Sequence, residues 1–313
     1  MLLKKNYFIF LCFMMLFLGL SLGLNNLTSM KMWMSMEMTL LSFVPCFIMN
    51  KSIIESYSSL KYFIFQCLGS SMFLLGMLEY FNIEVLIFGL MIKLGFFPMQ
   101  FWVVSVCKGL NWMTFFILMT FQKILPLFFL LLFLPNIFIL LFIFLLLNSM
   151  MGNIMSINQY ELRSLMVFSS LNHMSWMFFC KMLSWMFFYI YFFLYSVMLL
   201  MLCIFFFLKN IYFFNQLFYI NMYTYMLMFI MIIFLSFLGF PPFLGFFLKL
   251  ISISSMNFAF FFIMMVLLLN LLISFSYVRV FFFFFNYNYN SILKIKILKK
   301  HFFFLLYMVF FIM

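Results

Sequence analysis

The sequence predicts an all-α polytopic membrane protein of about eleven transmembrane helices, and three observations predict it. Seventy per cent of the residues are hydrophobic while 7% are charged. The apolar stretches fall into pieces of spanning length. The basic residues between those pieces gather on one side.

Composition excludes a soluble globule. A soluble chain of 313 residues would bury a core and still cover itself with Lys, Arg, Asp and Glu. Here 17 basic residues stand against 5 acidic ones, all glutamate, and the mean hydropathy is +1.29. A bilayer suits such a chain, because apolar surface then needs no polar cover and each helix satisfies its own backbone. The formal charge of +12 does not indicate a nucleic-acid partner, since the basic residues stand singly between apolar runs and form no patch. Residue usage is skewed as well: Phe (58) and Met (34) abound, while Ala occurs once, at Ala259, and Arg twice. The favoured residues have A/T-rich codons, and a code that reads ATA as Met accounts for the methionines. Together these point to a mitochondrial genome. The six cysteines, at 12, 46, 67, 107, 180 and 203, include no CxxC pair and read as apolar helix positions.

Cutting at polar clusters gives spans at 6–24, 32–50, 61–80, 84–105, 112–134, 136–155, 164–181, 184–208, 222–254 and 257–284, and a tail from about 297. Lys4 and Lys5 ahead of Tyr7–Leu20 resemble a secretory signal, but no small-residue cleavage pattern follows, so the stretch reads as the first span. The tail, His301–Met313, is short for a crossing on its own. Charge placement fits the alternation. The side of the N-terminus collects Lys4, Lys5, Lys51, Lys61, Lys108, Arg163, Lys209, Arg279, Lys294, Lys296, Lys299 and Lys300, and the other side only Lys31 and Lys181. An excess of that kind marks the cytoplasmic or matrix face, so the N-terminus is expected there.

Two spans carry punctuation in the middle. Span 84–105 holds Gly95 and Pro98, and span 222–254 holds Gly239, Pro241, Pro242 and Gly245. Proline removes a backbone donor, and hydrocarbon tolerates the freed carbonyls only where protein or water satisfies them. The first break lies in the fourth of spans one to five, the second in the fourth of spans six to ten. Interrupted helices at matching positions in two halves are the expected mark of inverted repeats around a transport pathway. The expected organisation is a first helical repeat over 1–134, a second over 136–285, and a basic loop with a hydrophobic tail over 286–313.

Charges inside the hydrocarbon are the informative ones, since each costs at least ~2.5–3.5 kcal/mol to insert. Glu37, Lys93, Lys123 and Lys249 stand out. Lys93 is two residues before Gly95, and Lys249 is seven after Pro242, so each lies beside a break where backbone and water can solvate an ammonium. Desolvation disfavours a charged amine and a nearby carboxylate favours it, so a Glu–Lys pair whose separation changes is a proton switch. Glu37 is the one candidate acid inside a span, since Glu79 and Glu84 stand at span ends. The plainer alternative is a lysine that snorkels to the interface, which accounts well for Lys61, Lys108, Lys181 and Lys209 and is weighed for the other four. His173, in Asn172-His173-Met174, reads equally as a proton relay or as a hydrogen bond to a neighbouring helix. Gln100, Gln122, Ser169, Ser170 and Asn172 could hold water. Two histidines are too few for paired haem ligands across a bundle. Met30, Met32, Met34, Met36 and Met38 alternate with period two and do not converge on one helix face, which argues against copper. No glycine loop for a nucleotide is present.

These motifs resemble a known family. Met36-Glu37-Met38 is followed by Leu41-Ser42-Phe43-Val44-Pro45, Glu55-Ser56 and Lys61-Tyr62-Phe63. Then come Lys93-Leu94-Gly95-Phe96-Phe97-Pro98-Met99-Gln100-Phe101-Trp102, Gln122-Lys123-Ile124-Leu125-Pro126, Ser169-Ser170-Leu171-Asn172-His173-Met174-Ser175-Trp176 and Leu235-Ser236-Phe237-Leu238-Gly239-Phe240-Pro241-Pro242-Phe243-Leu244-Gly245-Phe246 with Lys249. In order and spacing they are similar to the subunit 2 family of mitochondrial NADH–ubiquinone oxidoreductase (complex I), in its short animal form, over most of residues 30–285. The resemblance implies an antiporter-like subunit of eleven helices, without the first three of its bacterial counterparts, working in the mitochondrial inner membrane. It implies that Glu37 pairs with Lys93, that Lys123 continues a hydrophilic axis and that Lys249 lies on the second broken helix. It implies no redox cofactor in this chain; FMN, iron–sulfur clusters and ubiquinone would belong elsewhere in the complex. The implied partners are antiporter-like subunit 4, subunits 4L and 6, accessory subunits and phospholipids including cardiolipin.

Three departures qualify the resemblance. Gln100 stands where the family often has His, removing a titratable group. Leu248 replaces a frequent proline, so a gentler second break is expected. Ser164 follows Arg163 where a basic residue is usual. The implied function is proton translocation coupled to redox chemistry in other subunits. A stand-alone cation/proton antiporter would transport without partners, and a structural membrane spacer would need its lysines only for assembly.

Overall fold

In the computed structural model, residues 2–25, 28–47, 52–77, 83–133, 138–217, 224–254 and 260–286 are described. They form fourteen helices: α1 (Leu2–Asn25), α2 (Ser29–Phe47), α3 (Ile53–Met77), α4 (Ile83–Leu94), α5 (Gln100–Cys107), α6 (Trp112–Met119), α7 (Phe121–Phe133), α8 (Phe138–Ile157), α9 (Leu162–Leu183), α10 (Trp185–Lys209), α11 (Phe214–Leu217), α12 (Thr224–Leu238), α13 (Leu244–Ser254) and α14 (Phe260–Asn286). Three pairs, α4/α5, α6/α7 and α12/α13, each occupy one predicted span. With α11 set aside as a single turn, the helices match the first ten predicted spans in order. The expected eleventh crossing lies outside the described residues.

Among the described residues, four segments are long and apolar enough to cross a membrane by themselves: Ile53–Met77, Trp112–Phe133, Trp185–Lys209 and Met264–Phe282. The others are broken, shorter or more polar. The polar ones are tolerated because protein surrounds them. Every residue of α9 from Leu162 to Cys180 is buried, including Arg163, Asn172 and His173. Around it pack α8, α10, α13, α5 and α6. Peripheral helices face the lipid with one stripe. On α10, Met186, Ile190, Phe193, Val197 and Met201 are exposed, while Phe188, Tyr191, Tyr195, Leu199 and Leu202 turn inward.

One boundary differs from the sequence reading. The third helix begins at Ile53, eight residues before the predicted start at 61. Ser52 caps it, its hydroxyl accepting from Glu55 N at 3.1 Å. Its first turns are polar because Glu55, Ser58 and Ser59 are buried against protein and do not meet lipid. Lys61 therefore sits within the helix, its ammonium 4.4 Å from the centre of the Tyr57 ring.

Both arginines of the chain clasp the loops at one end of the bundle. Arg163 donates to Leu110 O and lies 4.6 Å over the Tyr212 ring. Arg279 donates to Gln159 O at 2.7 Å. Between them, Leu162 N bonds Tyr212 O at 3.0 Å and Phe214 N bonds Tyr160 O at 3.1 Å. The loops after α5, α8 and α10 therefore share one end with Arg279, as the predicted alternation requires.

Candidate functional site: a buried lysine axis

The two breaks are built alike. In each, a glycine with positive φ ends the first half-helix: Gly95 at +68° and Gly239 at +78°. Phe96 N bonds Met91 O at 3.0 Å and Gly95 N bonds Ile92 O at 3.1 Å; Phe240 N bonds Leu235 O at 3.2 Å and Gly239 N bonds Ser236 O at 3.1 Å. This is the Schellman arrangement at a helix C-terminus, and only glycine adopts its left-handed position without steric cost. Each break also contains a cis X–Pro bond, Phe97–Pro98 and Pro241–Pro242. Because the same glycine turn ends both first half-helices, the second break is not gentler than the first. Its geometry is set by Gly239 and the two prolines, and Leu248 lies beyond them on α13.

Side-chain donors reach the carbonyls at the end of each first half-helix in two ways. At the first break Gln66 Nε2 donates to Lys93 O at 3.0 Å, and Trp102 Nε1 donates to Ile92 O at 3.0 Å. Asn148 Oδ1 accepts from Phe97 N at 2.7 Å. At the second break the lysine itself supplies the donor. Lys249 Nζ reaches back to Leu238 O at 2.5 Å and Phe237 O at 3.3 Å, with the Trp176 ring centre 5.7 Å away. A cation at a helix C-terminus meets the negative end of the helix dipole. A Cβ on Gly239 would fall 2.7 Å from Lys249 Cδ, so this glycine also makes room for the lysine stem.

Lys93 is left free to face an acid. Its Nζ lies 3.9 Å from Glu37 Oε1. That is a charge pair longer than a hydrogen bond, and neither atom has a hydrogen-bond partner among the described residues. Lys123 lies three residues past a helix interruption at Thr120 that the sequence reading missed. Lys123 N bonds Thr120 O at 3.0 Å, an i→i−3 contact, and Pro126 leaves Gln122 O without its usual donor. Lys123 Nζ donates to Ser170 Oγ at 3.0 Å. A cavity of about 10 Å³, room for the centre of one water, is lined by Lys93 and Lys123 together with Tyr62, Gln66, Trp102 and Gln122. Lys93, Lys123 and Lys249 are all buried, so none of the three snorkels.

His173 is buried, its Nδ1 3.1 Å from Tyr191 Oη. Ser170, His173 and Trp176 repeat at helical spacing on α9, facing Lys123, Tyr191 and Lys249 in turn. Asn172 Nδ2 donates to Asn270 Oδ1 at 2.7 Å, while Gln100 is buried with both amide atoms unpartnered among the described residues. Gln122 accepts from Tyr62 Oη at 3.2 Å and donates to Thr39 O at 3.0 Å. Tyr62, Gln66, Asn148 and Tyr191 were not singled out from the sequence. Tyr62 and Gln66 belong to a buried stripe, Glu55–Ser58–Ser59–Tyr62–Gln66–Gly69–Ser70–Phe73, which the late predicted start of that helix cut short.

The family described as NADH:quinone oxidoreductase/Mrp antiporter, TM, matches residues 80–274. The chain belongs to this family. The match contains both breaks, the three lysines and His173, while Glu37 precedes it. Among curated antiporter-family relatives, NADH-ubiquinone oxidoreductase chain 2 of Anopheles gambiae is 35% identical over 199 residues, 59% of this chain and 58% of the relative. The chain 2 protein of Artemia franciscana is 36% identical over 162 residues, 52% of each. The chain thus spans between half and three-fifths of the length of these relatives. The fold is similar to that of a chain in respiratory complex I from Thermus thermophilus with bound Aureothin, with a TM-score of 0.75 at 18% identity, covering 89% of this chain and 70% of that one. It is also similar to a chain of the Mrp complex from Dietzia sp. DQ12-45-1b, with a TM-score of 0.72 at 13% identity over 84% and 57%.

Proposed function

We propose that this chain is a proton-translocating membrane-arm subunit of a mitochondrial NADH–ubiquinone oxidoreductase (complex I), multi-pass in the inner membrane with its N-terminus on the matrix side. Redox chemistry, with FMN, iron–sulfur clusters and ubiquinone, takes place in other parts of the complex. The observation that carries the reading is the charge pair Glu37–Lys93 opening onto a cavity shared with Lys123. Moving one proton against 100 mV costs ~2.3 kcal/mol, so the path must be gated. A pair held at 3.9 Å without a hydrogen bond can open or close with small helix shifts. Either movement changes the electrostatic potential along the cavity and hence at Lys123. The catalytic set proposed is Glu37, Lys93, Lys123 and Lys249, with His173 between the last two. The two helical repeats, 1–134 and 136–285, would each contribute one break.

Glu37 also supports a partner. Its side chain is 21% exposed, on the stripe of α2 that carries Met34 and Leu41 at 56% and 61%. A carboxylate facing lipid at mid-helix is costly, so a neighbouring membrane subunit with polar groups covers it. Antiporter-like subunit 4 and subunits 4L and 6 are the partners proposed, with accessory subunits and phospholipids such as cardiolipin around them.

Native-gel separation of solubilised mitochondrial membranes, stained for NADH oxidation and read by mass spectrometry, tests the assignment. The polypeptide is expected only in the large NADH-oxidising band; migration alone would favour an independent antiporter. In the assembled complex, Lys93→Met is expected to lower the proton-to-electron ratio with assembly preserved. An unchanged ratio would reduce the chain to a spacer.

A further inference from the structure

Between Lys123 and Lys249 stand two buried phenols, each facing a serine without well-formed hydrogen-bond geometry. Tyr195 on α10 and Tyr277 on α14 are 1% and 0% exposed, and neither hydroxyl makes a hydrogen bond among the described residues. Native interiors almost always pair such a group with protein or with ordered water. The groups that bear on the Tyr195 hydroxyl are Tyr277, Cys203, Ser170 and Cys107, and on the Tyr277 hydroxyl Ser169; each serine faces its phenol outside full hydrogen-bond geometry. Both serines already spend their protons on their own helix, Ser169 on Met166 O at 2.9 Å and Ser170 on Val167 O at 2.6 Å. Each serine oxygen is left as an acceptor only, and that of Ser170 also takes the Lys123 ammonium at 3.0 Å.

The other flank of the pair meets the second break. The Tyr195 ring centre lies 5.4 Å from that of His173 and 6.1 Å from that of Phe237. Phe237 O in turn accepts from Lys249 Nζ at 3.3 Å. Tyr277 packs against Phe234 at 5.3 Å. The phenols therefore touch the surroundings of Lys123 on one side and of Lys249 on the other.

We propose that Tyr195 and Tyr277 hold buried water against Ser169 and Ser170, and that this hydrated phenol pair is the proton connection between Lys123 and the His173–Lys249 end of the axis. The inference rests on the proton-translocation reading. Lys123 gives one proton to the adjacent water as that water passes another on. Each phenol accepts one proton and releases one. Lys123 ends as a neutral amine, the neutral His173 imidazole or Lys249 in its neutral amine form gains one proton, and both tyrosines are unchanged. A neutral phenol both donates and accepts, so no tyrosinate is needed.

The test uses the assembled complex. Tyr195→Phe and Tyr277→Phe each remove one oxygen and keep the ring packing. Radiolytic hydroxyl labelling of the unaltered complex in oxygen-18 water should modify both tyrosines, as bound water beside them requires. Both variants should assemble to normal amounts, with a lowered proton-to-electron ratio and a changed solvent deuterium isotope effect. Absence of label on both tyrosines overturns the proposal. So does an unchanged ratio in both variants where Lys93→Met lowers it. If Lys93→Met also leaves the ratio unchanged, the translocation reading itself fails and the relay with it. If neither variant assembles, labelling of the unaltered protein decides: label supports the site and its absence overturns it.

Discussion

At the first break, carbonyls at the end of the first half-helix are taken by neutral donors, Gln66 from α3 and Trp102 from the second half-helix of the break. At the second they are taken by Lys249, reaching back across the break from its own second half-helix. The backbone is the same, but the lysines are used differently. Lys93 is released from structural duty and can answer to Glu37. Lys249 is bound into the fold. A lysine that holds a helix end together cannot lose its proton without loosening that end, so its protonation state is tied to local structure. The first lysine is tied mainly to charge.

The largest expected effect comes from removing that structural duty. Lys249→Met leaves Phe237 O and Leu238 O buried without a donor, at about 1–3 kcal/mol each. The amount and thermal stability of the assembled complex should fall, whereas Lys93→Met should leave both near normal. Equal losses in the two variants would mean that the breaks do not differ in this way. Next in size is Gln66→Leu, which uncaps Lys93 O at a cost of about 1–3 kcal/mol. It should lower thermal stability while the sequence of the second break is untouched. Full retention of stability would show that water replaces the amide. The smallest effect is expected at the third interruption. Ser170→Ala removes the acceptor from Lys123, but the shared cavity admits a water, so the cost should be about 1 kcal/mol or less. A large loss of stability there would put Lys123 in the same class as Lys249.

The breaks themselves were legible, because glycine and proline are written in the sequence and their effect on a helix is local. So was the burial of the three lysines, since composition left no other place for charges between apolar runs. The partners that other helices supply to the freed backbone groups were not legible. Gln66 and Lys93 are 27 positions apart, and Asn148 and Phe97 are 51 apart. Only the packed bundle brings them together. The start of α3 was misplaced for a related reason. A hydropathy cut treats Glu55, Ser58 and Ser59 as outside the membrane, whereas protein covers them. The interruption at Thr120 had a signal in Pro126, six residues on, which the reading used only as part of the Gln122–Pro126 motif.

The polar, enclosed α9 bears on how the chain is made. A helix carrying Arg163, Asn172, His173 and Lys181 in its 22 residues gains little by leaving the insertion machinery for lipid on its own. It becomes favourable in the bilayer only once apolar neighbours shield it. The more apolar α8 and α10, which precede and follow it in the chain, must therefore enter with it as a hairpin or a three-helix unit. Biogenesis of this protein is consequently cooperative at its centre, and a pause between α8 and α10 during synthesis would leave the segment exposed to quality control.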